Sequence, residues 1–414
     1  MRYSIIGATP QDVKAVGGTD IVEAKSVGVV FANLDEHAAR RLEAMGFTTQ
    51  QIGKVSVSVT PPVPVEGVPL YTPEQLSYAM GMEDIRSLAT PLIYGEGFNI
   101  AVVGTGIRET HDKIKGHIVH SKNFTSSPMR DGFDHDTGVC SILRIVAPKS
   151  GILNFKVLDD SGYGTEEGVV LAIDECISLV DFGSKAAPSV INLSLGAPDD
   201  GNPNNVVRVA CRQAIARGIW VVAAAGNEGP SRGTVFTPAV ERYVIAVGSV
   251  SLEPFRISNF SSRGPTLEGL IKPDGVLFGE NIIVASSKTD TANVAKSGTS
   301  FSTPFASGAC VLYLEGERFI VGGGTPVGLP GTPARSQPLT PQAVLDVYLP
   351  QICVKPTGSL HGKDESYGYG LPYGQLLKEK LTARPGVASS IPSMMMLMLG
   401  MDMVTGIIKS VKGK

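Results

Sequence analysis

A serine can act as a nucleophile when its backbone is held and its surroundings favour negative charge. The stretch Lys296-Ser297-Gly298-Thr299-Ser300-Phe301-Ser302-Thr303-Pro304-Phe305-Ala306-Ser307-Gly308-Ala309 is built for both. Gly298 allows a tight entry turn, and the small and apolar run after it reads as a buried helix with Ser300 at or near its first turn. A hydroxyl there feels the positive helix end, which suits an anionic tetrahedral intermediate; the plainer use of such a serine is as a helix cap. Val221-Val222-Ala223-Ala224-Ala225-Gly226-Asn227-Glu228-Gly229 reads as a strand running straight into a turn that presents an amide. Asn227 can donate there to an oxyanion, or merely shape the turn beside its glycines. His135 lies between Asp134 and Asp136, and a lone histidine is more often structural than catalytic.

The elements that must position these residues follow from periodicity. Short, apolar, β-branched runs predict core strands over 99–103, 153–158, 189–194, 220–225 and 243–250. Helices are predicted over 137–145, 166–179, 205–216 and 303–314, with another over 341–349. The alternation implies a parallel sheet covered by helices on both faces, with chemistry at the carboxyl ends of its strands. Residues 1–60 form a separate small α/β pattern: a strand over 27–32, a helix over 36–45 capped by Asp35 and closed by Gly46, and an alternating strand over 54–59. Four prolines in 60–69 make a stiff extended linker. The Gly/Pro-rich 321–341 reads as a surface loop.

The 414 residues are 43% hydrophobic and 18% charged with a net charge of -3, an ordinary globular balance that does not point to nucleic acid. The five cysteines are scattered without metal spacing and read as core thiols of a reducing compartment. Met1–Gly7 lacks a leader's apolar region, so a cytoplasmic protein is expected, with viral or phage maturation an equally fitting setting. The Met-rich apolar stretch 391–408 is borderline for spanning a bilayer and is read as a segment that docks to protein or membrane.

Gly298-Thr299-Ser300-Phe301-Ser302-Thr303-Pro304 resembles the nucleophile motif of the subtilisin-like serine proteases (subtilases), and 221–229 resembles their oxyanion-hole segment. Asp134–Ser141 is similar to their histidine motif, although Asp136 and Gly138 replace its usual glycine and second histidine. Val146-Ala147-Pro148 and Lys156-Val157-Leu158 keep the family spacing. The resemblance covers about 70–375. It implies a three-layer α/β parallel-sheet fold, subtilisin-like, preceded by a small α+β propeptide-like domain. The organisation becomes 1–60 propeptide-like domain, 61–70 linker, 71–380 catalytic domain and 381–414 tail. The activity implied is serine endopeptidase, with Ser300 as nucleophile, His135 as general base and Asn227 in the oxyanion hole.

One position departs. In Ile100-Ala101-Val102-Val103-Gly104-Thr105-Gly106-Ile107 the family's aspartate is Gly104. That acid orients the histidine, and its loss costs about 3 × 10⁴ in turnover, a magnitude that comes from the family itself. Asp136 is the leading substitute, since Gly104 vacates the space its carboxylate needs; adjacent helix residues, however, do not face each other. Asp134 is a second candidate, and the absence of any substitute a third reading. In that case the chain is a subtilase-fold peptide-binding pseudoprotease. Substrate contact is implied for Ser194, Leu195 and Gly196, for Gly162 in 160–164, and for Glu228 at the pocket rim. The partner is a polypeptide in extended conformation, bound by strand addition. No cofactor is implied. The usual calcium site is not expected, because Lys113 stands at its carboxylate position and the segment between His135 and Val146 is too short for its loop.

Overall fold

The computed structural model describes residues 1–57, 64–88, 92–321 and 340–382. The 321–341 loop expected from composition and the 391–408 segment lie almost wholly or wholly outside those residues.

The N-terminal unit contains β1 (Arg2–Ile6), α1 (Pro10–Ala15), β2 (Thr19–Ala24), β3 (Val29–Asn33), α2 (Glu36–Ala44) and β4 (Thr48–Gln51). Its four strands are ordered β2-β3-β1-β4. Asp35 caps α2 as expected, its carboxylate accepting from Ala38 N at 2.7 Å. Alternation along β3 splits the sheet: Val30 and Ala32 join Ile5, Val13 and Leu42 in the unit's own core, while Val29 and Phe31 face the larger body. The alternating run after the helix behaves differently from expectation. Among the described residues it gives β5 (Lys54–Ser56), which leaves the N-terminal sheet to pair with the larger body.

That body opens with α3 (Pro73–Ala79), α4 (Met82–Arg86), β6 (Asn99–Gly104) and β7 (Ile118–Asn123). Next come α5 (Asp136–Val146), β8 (Gly151–Lys156), β9 (Tyr163–Thr165), α6 (Glu166–Asp181) and β10 (Val190–Leu193). After these are β11 (Ala197–Pro198), α7 (Val206–Ala216), β12 (Trp220–Ala224), β13 (Phe236–Thr237), β14 (Ile245–Ser251) and β15 (Arg256–Ile257). The run ends with β16 (Gly275–Phe278), β17 (Ile282–Ala285), β18 (Asn293–Lys296) and α8 (Thr299–Val321).

The central sheet runs β15-β14-β12-β10-β6-β8-β7, with β16 also on β14, and every pairing except β14–β15 is parallel. Side chains divide strictly by face. Ile100 and Val102 pack with α5 and α8, whereas Ala101 and Val103 pack with α6 and α7. This is why the core strands are apolar on both sides and show no polar alternation. The architecture is the three-layer α/β arrangement expected, and it leaves the carboxyl ends of β6, β10 and β12 side by side.

Candidate active site

Ser300 is the second residue of α8 and is buried. Gly298 at φ 144 makes the turn into the helix, a conformation that a side chain disfavours. Pro304 has no N–H to give the carbonyl of Ser300 four residues earlier. That carbonyl accepts from Ser194 Oγ at 2.9 Å, while Ser300 Oγ donates to Ser194 O at 3.1 Å. The helix start is thereby pinned to the end of β10. Asn227, just beyond β12, is held from the same helix: its Oδ1 accepts from Thr299 N and Thr299 Oγ1, both at 2.9 Å.

On the other side, His135 precedes α5 with φ -124 and ψ -61, outside helical geometry. Its Nδ1 lies 2.7 Å from Asp136 Oδ1, both side chains being buried. A carboxylate can only accept, so Nδ1 carries the proton and Nε2 is left as the ring's acceptor. Nε2 is buried with no hydrogen-bond partner among the described residues. The His135 ring packs on Phe301, centroids 5.3 Å apart, which joins the start of α5 to the residue after Ser300.

Gly104 explains the room for Asp136. A Cβ at residue 104 would fall onto Asp136 Oδ2 and within 2.9 Å of its Cγ. That oxygen instead accepts from Thr105 N at 2.7 Å. Asp134 points elsewhere, its Oδ1 accepting from Ser286 Oγ at 2.8 Å and Ser287 N at 2.6 Å. As a substitute acid it is therefore set aside: its carboxylate is bonded to another loop. Gly138 also has a reason, since a Cβ there would lie 2.8 Å from Val284 Cγ2 and 3.2 Å from Phe301. A histidine at that position has no space. Sequence reasoning missed Thr105 and Asp131, whose hydrogen bonds surround the His135–Asp136 pair. Thr105 directly follows Gly104, and that adjacency was the available signal.

These findings stand beside a family assignment. Residues 95–370 match the Peptidase_S8 subtilase family. The chain belongs to the subtilase family. It is 30% identical over 256 residues to serine protease AprX of Bacillus subtilis, covering 53% of this chain and 58% of that protein. It is 32% identical over 234 residues to subtilisin DY of Bacillus licheniformis, covering 53% of this chain and 78% of that protein. With subtilisin-like protease 1 of Trichophyton tonsurans the identity is 31% over 229 residues, covering 54% of this chain and 42% of that protein. The chain thus spans about half the length of AprX and of the fungal relative.

The segments implied in substrate contact are occupied by the subtilase's own chain. β5 pairs antiparallel with β9 on one side. Val57 N extends that ladder, donating to Gly162 O at 3.2 Å, while on the other side of β5 Ser56 and Gly196 exchange both backbone bonds at 3.0 Å. Ser194 and Leu195 are buried. Glu228 is exposed and its N–H donates to Ser262 Oγ at 3.1 Å, so its carboxylate is not part of the buried cluster. The N-terminal unit is anchored alongside. Glu166 Oε2 accepts from Gly53 N at 2.7 Å, Asp174 Oδ1 accepts from Ser26 N at 2.6 Å and Val27 N at 3.0 Å, and Arg2 Nε meets Glu167 Oε2 at 2.8 Å. Asp174 has its carboxyl pushed above the usual range, chiefly by burial. Among the described residues no helix is long and apolar enough to cross a membrane, and no group of three or more His, Cys, Asp and Glu could hold a metal ion.

Proposed function

We propose that this subtilase is a serine endopeptidase whose supporting acid has moved from the end of β6 to the start of α5. Ser300 Oγ attacks the peptide carbonyl and His135 Nε2 takes its proton. Asp136 holds the ring with Nε2 deprotonated and stabilises the imidazolium that forms. The Ser300 N–H and the Asn227 carboxamide, whose oxygen is tied back to Thr299, receive the oxyanion. The observation carrying this reading is the 2.7 Å contact of His135 Nδ1 with Asp136 in the space vacated by Gly104. A fluorophosphonate probe tests it: labelling is expected on the wild type and lost in Ser300→Ala. Failure to label the wild type supports the competing reading, a peptide-binding protein that does not cut. The bond from Ser300 Oγ to the Ser194 carbonyl is the observation in that reading's favour.

The N-terminal unit acts on the same site as an inhibitory propeptide. Lys54–Val57 lies where an extended polypeptide substrate is expected, between β9 and Gly196. Gly196, which pairs with Ser56, lies two residues beyond Ser194, whose carbonyl accepts from Ser300 Oγ. Self-cleavage in or just after the proline-rich linker, near residues 60–75, follows from this reading. Intact-mass measurement of purified wild type and Ser300→Ala checks it, since a cut in both would assign the scission to another protease. We further propose a cytoplasmic or phage setting and docking to protein or membrane through 391–408, tested by fractionation and by vesicle flotation of the full chain.

A further inference from the structure

Adjacent side chains on a regular helix diverge by about 100°, so a His–Asp pair at consecutive positions needs a distorted backbone. Here the distortion is visible: Asp134 sits at φ 63, in the left-handed region, and His135 is off-helix at φ -124. Something must hold it. His135 gives α5 no side-chain cap of its own. The capping acceptor is Asp131, four residues upstream and buried. Its Oδ1 accepts from His135 N at 3.1 Å and Thr105 Oγ1 at 2.9 Å; its Oδ2 accepts from His135 N at 3.0 Å, Thr137 N at 2.9 Å and Thr137 Oγ1 at 2.7 Å. Thr105 completes the bracket. Its Oγ1 accepts from Asp136 N at 3.1 Å and its N–H donates to Asp136 Oδ2 at 2.7 Å.

We infer that Asp131, acting with Thr105, is the positioning residue that makes a sequence-adjacent His135–Asp136 pair workable. It touches neither ring nitrogen, so it is not itself the acid; it clamps the backbone on both sides of Asp136. Burial and the nearby Asp136 charge push the Asp131 carboxyl above its usual range. Four donor atoms converging on it offset that burial, and the geometry they impose is the function assigned. The inference rests on the endopeptidase reading of Ser300 and His135.

The test uses the full chain and a chromogenic peptide. Asp131→Asn keeps the shape but presents an NH₂ to groups that are themselves donors. It is expected to lower kcat about 100-fold, the scale of a misplacement near 1 Å, with KM within about twofold. The downfield proton resonance of the His135 Nδ1–H bond, read in the Ser300→Ala background, is expected to vanish with it. Thr105→Ser, which keeps the hydroxyl, retains turnover, whereas Thr105→Val loses it by a similar factor. That second pair decides the matter should Asp131→Asn fail to fold. A wild-type-like kcat and an unmoved resonance in Asp131→Asn, or in Thr105→Val, overturn the inference while leaving the endopeptidase reading intact. A wild type that neither labels nor turns over overturns that reading, and this inference with it.

Discussion

The two halves of the site are built by different means. Ser300 and Asn227 are 73 residues apart in the chain and meet through long-range structure: α8, β10 and β12 converge, and Ser194 and Thr299 tie them together. Their motifs keep the family pattern. His135 and Asp136 are neighbours, so their contact depends on local backbone distortion, held by Asp131 and Thr105 from outside the helix. A fold can relocate a carboxylate when two positions face the same small volume. Gly104 and Asp136 share one such volume, and only one of them can fill it.

The largest expected effects test whether the halves act as one machine. Ser300→Ala and His135→Ala should each cut peptide turnover by about 10⁶, a scale drawn from subtilisin itself. Doing both should cost little more than one, and additive losses in steady-state kinetics would show that the halves work separately. Next is the acid. Asp136→Ala is expected to lose about 10⁴ in kcat. Gly104→Asp alone should also fail, because its Cβ lands on the Asp136 carboxylate. The exchange Gly104→Asp with Asp136→Gly restores the family pattern and should recover most of the turnover. An exchange no better than Asp136→Ala would remove the shared-volume explanation. Asn227→Ala should cost a further-reduced factor of about 10²–10³ in kcat with KM little changed, again a magnitude known from this family.

The smaller effects concern the anchoring of the N-terminal unit and the thiols. Arg2→Ala breaks a half-buried ion pair with Glu167, worth under about 1 kcal/mol, so the lag before activity appears should shorten by no more than about fivefold. A lag abolished outright would make that pair the main anchor in place of the buried Phe31 face. Smallest of all is the response to alkylating reagents. Burial pushes the thiols of Cys140 and Cys310 up to about 12, which leaves almost no thiolate at neutral pH. Iodoacetamide at pH 7 should leave turnover unchanged although Cys140 lies on the helix that follows His135.

Much of the architecture was readable because doubly covered strands and amphipathic helices leave local signatures. The runs beginning at Asn99 and Trp220 and the helix beginning at Glu166 lie within a residue or two of expectation. The helix bearing Ser300 starts four residues earlier than its apolar run suggests, because Thr299 and Ser300 enter it through polar contacts with Asn227 and Ser194 that periodicity does not register. The alternating run after Gly53 was legible as a strand but not as a strand of another sheet. Period-two alternation states that one face is buried and never names what buries it.

The chain by itself determined which chemistries were available. A serine after Gly298, an amide after Ala225-Gly226, a histidine between two aspartates and a glycine at 104 are statements about covalent groups and local backbone freedom. Tertiary structure decided which aspartate faces the ring. Asp134 and Asp136 both adjoin His135, and their fates diverge only through distant partners: Ser286 and Ser287 take the first, while Thr105 and the empty flank of Gly104 receive the second. Side-chain direction at a helix start depends on a few backbone angles, and those angles are set here by a buried carboxylate and a neighbouring strand. No local pattern encodes them.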